Sequence, residues 1–275
     1  MYLTIDIGGT KTLIALFSER GRILREKRFL TPEKLPDFLN KLFVQLQEFT
    51  DEKPKSVVVA IPGMVESNRP TWFGNRNWKN PPIYEEIRKI WPKTPVYFKN
   101  DSDLAALYET GFYPKNHAMF LTFGTGIGGS LAKNGVLTKD SADFEPGHSI
   151  VIWDKRPMEW EDVASSKAIR RANHNLDILD IKEKHACDLT AARLAIGLVP
   201  LLIEKHPEVV IIGGPLGETF KYYRKTLERL VKIGLNGTSA PVPKLVKAKK
   251  PRRSVNYGAY YYAKKFDKTI RGGRS

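Results

Sequence analysis

The sequence predicts an α/β fold built on an internal duplication, and three observations carry that expectation. Short apolar, β-rich runs alternate with helical stretches along the 275 residues. Two strand–glycine turn–strand units, at Leu3-Thr4-Ile5 and Leu121-Thr122-Phe123, stand about 118 positions apart. A further glycine pair, Gly213-Gly214, ends a continuous apolar run at residues 209–212.

The elements come in order. Residues 2–7 are a strand, the Gly8-Gly9-Thr10 turn is next, and residues 13–17 return as a second strand. Residues 36–49 read as a helix with Phe38, Leu42, Leu46 and Phe49 on one face. SVVVAI at 56–61 is a buried strand that stops at Pro62-Gly63. Residues 64–82 are rich in proline and read as a loop carrying Trp72, Asn75, Asn77 and Trp78. A strand at 95–99 runs into Asn100-Asp101 and a helix through residues 104–109, with Asp101 or Asp103 as its cap. The second hairpin closes near Asn134-Gly135. Helices are expected at 164–172, at 188–204 with Asp188 or Thr190 as cap, at 218–233 and at 256–266. No linker interrupts the chain, so a domain boundary falls in continuous structure near residue 105.

Composition narrows the class. With 41% hydrophobic and 27% charged residues the chain is neither disordered nor of low complexity. Its single cysteine, Cys187, excludes an intrachain disulfide. No apolar run reaches the length of a membrane span, and MYLTIDIGGTKT lacks the pattern of a signal peptide, so a cytoplasmic protein without a membrane partner is expected. The net charge of +15 raises the prior for an anionic partner. The densest basic stretch, KLVKAKKPRR at 244–253, and the basic end at 264–274 read as solvated surface and tail. Without zinc-finger spacing or an aromatic RNP-like motif, nucleic acid is not an expected partner.

The glycine loops are sorted by the element each one leads into. Gly124 to Gly129 satisfies GxGxxG, but the chain continues as a strand, leaving no helix N-terminus for a pyrophosphate. Gly8-Gly9-Thr10-Lys11-Thr12 lacks the glycine that a Walker A loop requires four residues before Gly-Lys. Tight Gly/Thr hairpins suit another phosphate geometry, because backbone N–H groups and hydroxyls can approach phosphate oxygens without crowding. Two hairpins could grip one polyphosphate, and Asp6 could hold Mg²⁺ directly or through water.

Asp6-Ile-Gly-Gly-Thr-Lys11, Asn100-Asp101, Thr122-Phe-Gly-Thr-Gly-Ile-Gly-Gly129, Glu145-Pro-Gly-His148, Glu161-Asp-Val-Ala-Ser165 and Ile211-Ile-Gly-Gly214, in this order across almost the whole chain, resemble the ROK family of sugar kinases. The resemblance implies a two-domain actin-like ATPase fold of ribonuclease H-like type. Its smaller domain would span residues 1–105, joined by the C-terminal helix at 256–268, and its larger domain residues 106–255. It implies transfer of the ATP γ-phosphoryl group to a hexose, glucose first, with Mg²⁺ as cofactor. N-acetylhexosamine, mannose and fructose are alternative acceptors, and a sugar-sensing regulator is an alternative role. Such regulators add an N-terminal helix-turn-helix, for which a hairpin starting at Met1 leaves no room.

By the same resemblance Asp101 is the general base. Gly63, Asn75, Asn100, Asp101, Glu145, His148 and Glu161 hold the sugar. Asp6, Gly8, Gly9, Thr10, Lys11, Thr125, Gly126, Gly213 and Gly214 hold the nucleotide and its metal. The sequence departs from the family where many members carry a cysteine-rich zinc motif: SIVIWDKRPMEW comes after His148, so no structural zinc site is expected. Phe144 stands where glycine is usual, and a bulky ring beside the sugar would narrow the site or change sugar preference. The family suggests a homodimer.

Overall fold

In the computed structural model the described residues are 1–74, 76–141 and 143–272, with side chains described as far as residue 265. They form two compact units, one made of Met1–Tyr108 and the chain from Val255 onward, the other of Glu109–Ser254.

The first unit is built on a five-stranded sheet. Its strands are β1 (Tyr2–Ile7), β2 (Lys11–Phe17), β3 (Ile23–Leu30), β4 (Val57–Ile61) and β8 (Val96–Asn100), in the order β3-β2-β1-β4-β8. The hairpin strands pair antiparallel, with Ile5 opposite Ile14, while β4 joins β1 and β8 in parallel. Every residue of β4 is buried, as a strand covered on both faces requires. Alternation sorts its side chains. Val57, Val59 and Ile61 face a core with Phe38, Leu42, Leu46 and Ile87 of α1 (Leu35–Gln47) and α2 (Ile83–Ile90). Val58 and Ala60 face a second core with Leu104, Ala259, Tyr260 and Ala263. Leu104 lies on α3 (Asp101–Thr110), and the other three lie on the last helix, Ser254–Gly272. These helices touch backbone to backbone: a Cβ on Gly258 would lie 1.8 Å from the Leu104 carbonyl oxygen.

The segment expected to be a proline-rich loop is instead a three-stranded antiparallel sheet of β5 (Gly63–Glu66), β6 (Arg69–Phe73) and β7 (Trp78–Lys79). Ser67 and Asn68 both take positive φ, 47° and 58°, as the tight turn of a two-residue hairpin demands. Pro70 is tolerated at a register shift, where the ladder is already broken. Asn68 then fastens the hairpin to β8, donating to the Val96 carbonyl at 2.8 Å and accepting from the Phe98 N–H at 2.8 Å. Trp78 is buried against Phe38 and Phe73 and donates to the Glu33 carbonyl, which makes it a core residue.

The second unit repeats the sheet plan. Strands β9 (His117–Phe123), β10 (Ile127–Lys133), β11 (Val136–Leu137), β14 (Val209–Gly213) and β15 (Lys244–Lys247) lie in the order β11-β10-β9-β14-β15. Again an antiparallel hairpin, β9–β10, is extended by parallel strands on its first member. Between them come the hairpin β12 (Ile150–Trp153) with β13 (Arg156–Glu159), and α4 (Trp160–Ala164), α5 (Ser166–Ala172), α6 (Lys184–Lys205) and α7 (Gly214–Gly234).

Helix α6 starts four residues before the expected cap: Glu183 accepts the N–H groups of His185 and Ala186, while Asp188 is engaged with Lys184 and Thr226. Among the described residues it alone is long and apolar enough to cross a membrane. Its apolar face belongs to the unit's core, with Leu194, Leu198 and Leu202 fully buried and the Trp160 ring seated where Gly197 has no side chain. Helix α7 starts at Gly214, not near residue 218. Gly214 has φ +69° and packs against the Phe123 backbone, a conformation that opens the helix directly from the strand. In the basic stretch 244–253 the side chains of Lys244, Lys247, Lys249, Lys250 and Arg252 are exposed, as a solvated surface requires, while its backbone enters as an edge strand with Leu245, Ala248 and Pro251 buried.

Candidate active site

Asp6 ends the inner strand of the first hairpin, opposite Leu13 and beside Ala60 of β4. It is partly buried, and desolvation followed by the negative charge of Asp101 pushes its pKa up to about 7, against a smaller opposing effect of Arg28. The turn beyond it is closed by the Gly8 N–H donating to the Lys11 carbonyl at 3.0 Å. Thr10 and Lys11 are exposed.

Asn100 and Asp101 mark the passage from β8 to α3. The cap of this helix is Asn100, not Asp101 or Asp103. Its Oδ1 accepts from the N–H groups of Ser102 and Asp103 at 2.9 and 3.2 Å, because an amide at the strand end reaches the first turn. Its Nδ2 donates to the Gly63 carbonyl at 3.2 Å, which joins two of the residues expected at the sugar. Gly63 itself is required by close approach: a Cβ there would lie 2.0 Å from the Trp72 carbonyl oxygen. Asp101 Oδ1 accepts from the N–H of Ser102 at 2.7 Å and lies at 3.4 Å from its hydroxyl. Asn75 lies outside the described residues.

In the second unit Gly124-Thr125-Gly126 turns β9 into β10, with the Gly124 N–H on the Gly126 carbonyl at 2.9 Å and Thr125 exposed. The chain continues as a strand, so no helix opens at these glycines to receive a pyrophosphate. Glu161 Oε2 accepts from the Ile127 N–H at 3.2 Å and occupies the space that Cβ atoms on Gly126 and Gly147 would need. Glu145 precedes and His148 ends the short 3₁₀ turn Pro146–His148, and both are exposed. His148 pairs with Glu159 at 3.0 Å. That hydrogen bond raises the His148 pKa above its ordinary 6.5. Partial burial opposes the rise, and the charges of Glu159, Glu161 and Glu145 add to it. His148, Glu159 and Glu161 each bring one donor atom within 4.8 Å of the others, and Glu159 is a member of this group that the motifs did not reveal.

Two of the expected features are packed inside the unit. Phe144 is 8% exposed in the unit's core, with its ring against Gly129, whose missing side chain makes room for it. The glycines at Gly213 and Gly214 have a role inside the protein, since Cβ atoms there would lie 2.8 Å from the Phe120 ring and 2.5 Å from the Phe123 carbonyl oxygen. Arg76, which no motif contained, donates from Nη2 to the carbonyls of Gly9 and Thr31.

Whether a divalent cation suits the first unit can be judged from Asp6. A partly buried carboxyl with a second negative charge acting on it is short of positive charge, and a cation would relieve both effects. The residues fit.

Two sheets of the same strand order, each with a glycine hairpin on its first strand, define the actin-like ATPase class of ribonuclease H-like folds. The ROK family model matches residues 2–266, and the chain belongs to that family. A glucokinase from Thermotoga maritima is 31% identical over 185 residues, a match that covers 61% of this chain and 58% of that protein. An N-acetyl-D-glucosamine kinase from Histophilus somni is 27% identical across 90% of this chain and 94% of its own length. The crystal structure of a ROK family glucokinase from Streptomyces griseus, in complex with glucose and AMPPNP, shares the fold with a TM-score of 0.79 at 22% identity, covering 96% of this chain and 99% of that one.

Proposed function

We propose that the protein is an ATP- and Mg²⁺-dependent hexose kinase with glucose as its first acceptor, working in the cytoplasm as a homodimer. The observation that carries this reading is the Asn100–Asp101 corner. Asn100 accepts from the N–H groups of Ser102 and Asp103 and donates to the Gly63 carbonyl, while Asp101 Oδ1 shares the Ser102 N–H at 2.7 Å, which fixes its carboxylate at the helix start.

In this reading Asp101 accepts the proton of a sugar hydroxyl as the sugar oxygen bonds to the γ-phosphorus and the bond from that phosphorus to the ADP oxygen breaks. Gly63, Asn75, Asn100, Glu145, His148 and Glu161 orient the sugar, whose several hydroxyls need both donors and acceptors. Gly8, Gly9, Thr10, Lys11, Thr125 and Gly126 receive the phosphates, and Gly213-Gly214 the adenosine end. Mg²⁺, held through Asp6, would supply charge neutralisation at the phosphate oxygens.

The test is ADP release across a panel of glucose, N-acetylglucosamine, N-acetylmannosamine, mannose and fructose, repeated with Asp101→Asn. Turnover should be greatest with glucose and should fall about 10²–10⁴-fold in the variant, with melting temperature and AMPPNP affinity close to wild type. Sugar binding without any stimulated turnover would replace the kinase with a sensor. Near-normal turnover by Asp101→Asn would remove Asp101 from the chemistry.

A further inference from the structure

Resting on the kinase reading, we propose that Arg76 is a positioning residue that aims the first hairpin's N–H groups at the nucleotide phosphates. The hairpin turn has three carbonyls, and each is taken by a donor from its own unit. The Thr31 hydroxyl donates to the Gly8 carbonyl at 2.8 Å, the Arg76 guanidinium to the Gly9 carbonyl, and the Thr31 N–H to the Thr10 carbonyl at 3.0 Å. The guanidinium also donates to the Thr31 carbonyl at 3.1 Å, so the clamp is a single connected piece. Thr31 is buried and shares a 2.9 Å hydrogen bond with the Thr12 hydroxyl, which anchors it to β2.

The peptide unit is planar, with C=O and N–H pointing in opposite directions. A carbonyl drawn into the clamp therefore turns the next residue's N–H away from it. Capture of the Gly8 and Gly9 carbonyls aims the N–H groups of Gly9 and Thr10 outward, and neither has a partner among the described residues. Unpartnered N–H groups in one tight turn are what an anion requires.

Arg76 contributes charge as well as direction. Its side chain is 17% exposed, and its nearest carboxylate, Glu33, stands 4.0 Å away and is almost fully exposed. A nearly buried, weakly compensated cation behind the turn strengthens the turn's attraction for phosphate. Its Nε is buried without a partner among the described residues, a desolvation cost that the hydrogen bonds of the fold do not recover. Lysine could replace the charge but not the fork that bridges two carbonyls.

The experiment compares wild type, Arg76→Ala and Arg76→Lys by AMPPNP titration calorimetry, sugar-dependent ADP release and thermal unfolding. Arg76→Ala should weaken AMPPNP binding by about tenfold or more, the effect of one charge-assisted hydrogen bond, and lower kcat as well. The KM for sugar should stay near wild type, and added guanidinium should recover part of the loss. Arg76→Lys should move the same way by a smaller factor and provides the answer if the alanine variant does not fold. A variant with a lower melting temperature but wild-type AMPPNP affinity and kcat would make Arg76 a structural staple and overturn the proposal. Wild type that binds AMPPNP but shows no sugar-stimulated turnover would defeat the kinase reading alone, since the affinities still test the clamp. Wild type that binds no AMPPNP would overturn both.

Discussion

Glu161 and Gly126 share one space: a Cβ on Gly126 would lie 2.4 Å from Glu161 Oε2, the same oxygen that accepts the Ile127 N–H. Gly147 bounds it from another direction, at 2.7 Å from its own absent Cβ. The second hairpin and a carboxylate expected at the sugar thus form one packed unit, fixed by the lack of two side chains.

Gly126→Ala should therefore displace Glu161, not merely crowd a turn. The expected cost is about 1 kcal/mol of stability, because the group that must give is the free end of the glutamate and what it loses is its hydrogen bond to Ile127. Sugar affinity should fall with it, and thermal unfolding and sugar titration measure the two effects. Glu161→Ala in the same chain should return most of the lost stability without restoring sugar binding, because the clash goes and the ligand group stays absent. A fully additive double variant would refute the shared space.

The hairpins are legible in the sequence because glycines flanked by apolar runs leave little choice of backbone. The repeated sheet order is built on them, and the buried face of Phe38, Leu42 and Leu46 comes from helical spacing. The features hidden from the sequence depend on partners distant along the chain. Nothing local marks Arg76 as reaching Gly9, or Phe144 as filling the gap at Gly129. The strands at 63–79 are masked by prolines, whose cost is removed by a register shift that only pairing reveals. Asn100 hides its capping role behind two neighbouring aspartates, because one amide can cap a helix and hold Gly63 at the same time.

Asp6 gives a pH dependence whose sign can be stated. The native carboxyl keeps its proton up to about pH 7, while an ordinary aspartate releases it near 3.8. Between those values the native state binds more protons than the unfolded chain, so stability conferred by this group declines as pH rises and levels off above 7. Asp6→Asn removes the penalty and should be the more stable protein at pH 8, by on the order of 1–3 kcal/mol or roughly 2–8 °C, with the gap closing toward about pH 4. Added Mg²⁺ should raise the melting temperature of wild type at about pH 8 and leave the asparagine variant unmoved. Equal melting temperatures of the two proteins across this range would show that Asp6 is not desolvated in the native state.

Glu109 accounts for the ordered part of the basic stretch. This carboxylate is 1% exposed and accepts from the Lys249 N–H at 2.7 Å, the Lys250 N–H at 2.9 Å and the Ser254 hydroxyl at 2.8 Å. Backbone and hydroxyl donors thus meet its buried charge. Pro251 completes the attachment, with its carbonyl on the Gly214 N–H at 2.8 Å and its ring against Gly217. Glu109→Ala would strand the Lys249 and Lys250 N–H groups, since the Ser254 hydroxyl also reaches the Lys250 carbonyl at 2.9 Å, and should cost about 2–4 kcal/mol. The local effect is sharper than the global one, because loop opening needs only these bonds to break. Trypsin should then cut after Lys249, Arg252 and Arg253 well before wild type is cut there, while cleavage after the exposed Lys184 proceeds at the same rate in both. Mass spectrometry of the early fragments reads the order of cuts. Unchanged cleavage at Lys249 and Arg252 would mean that Pro251 and the α7 terminus hold the loop without Glu109.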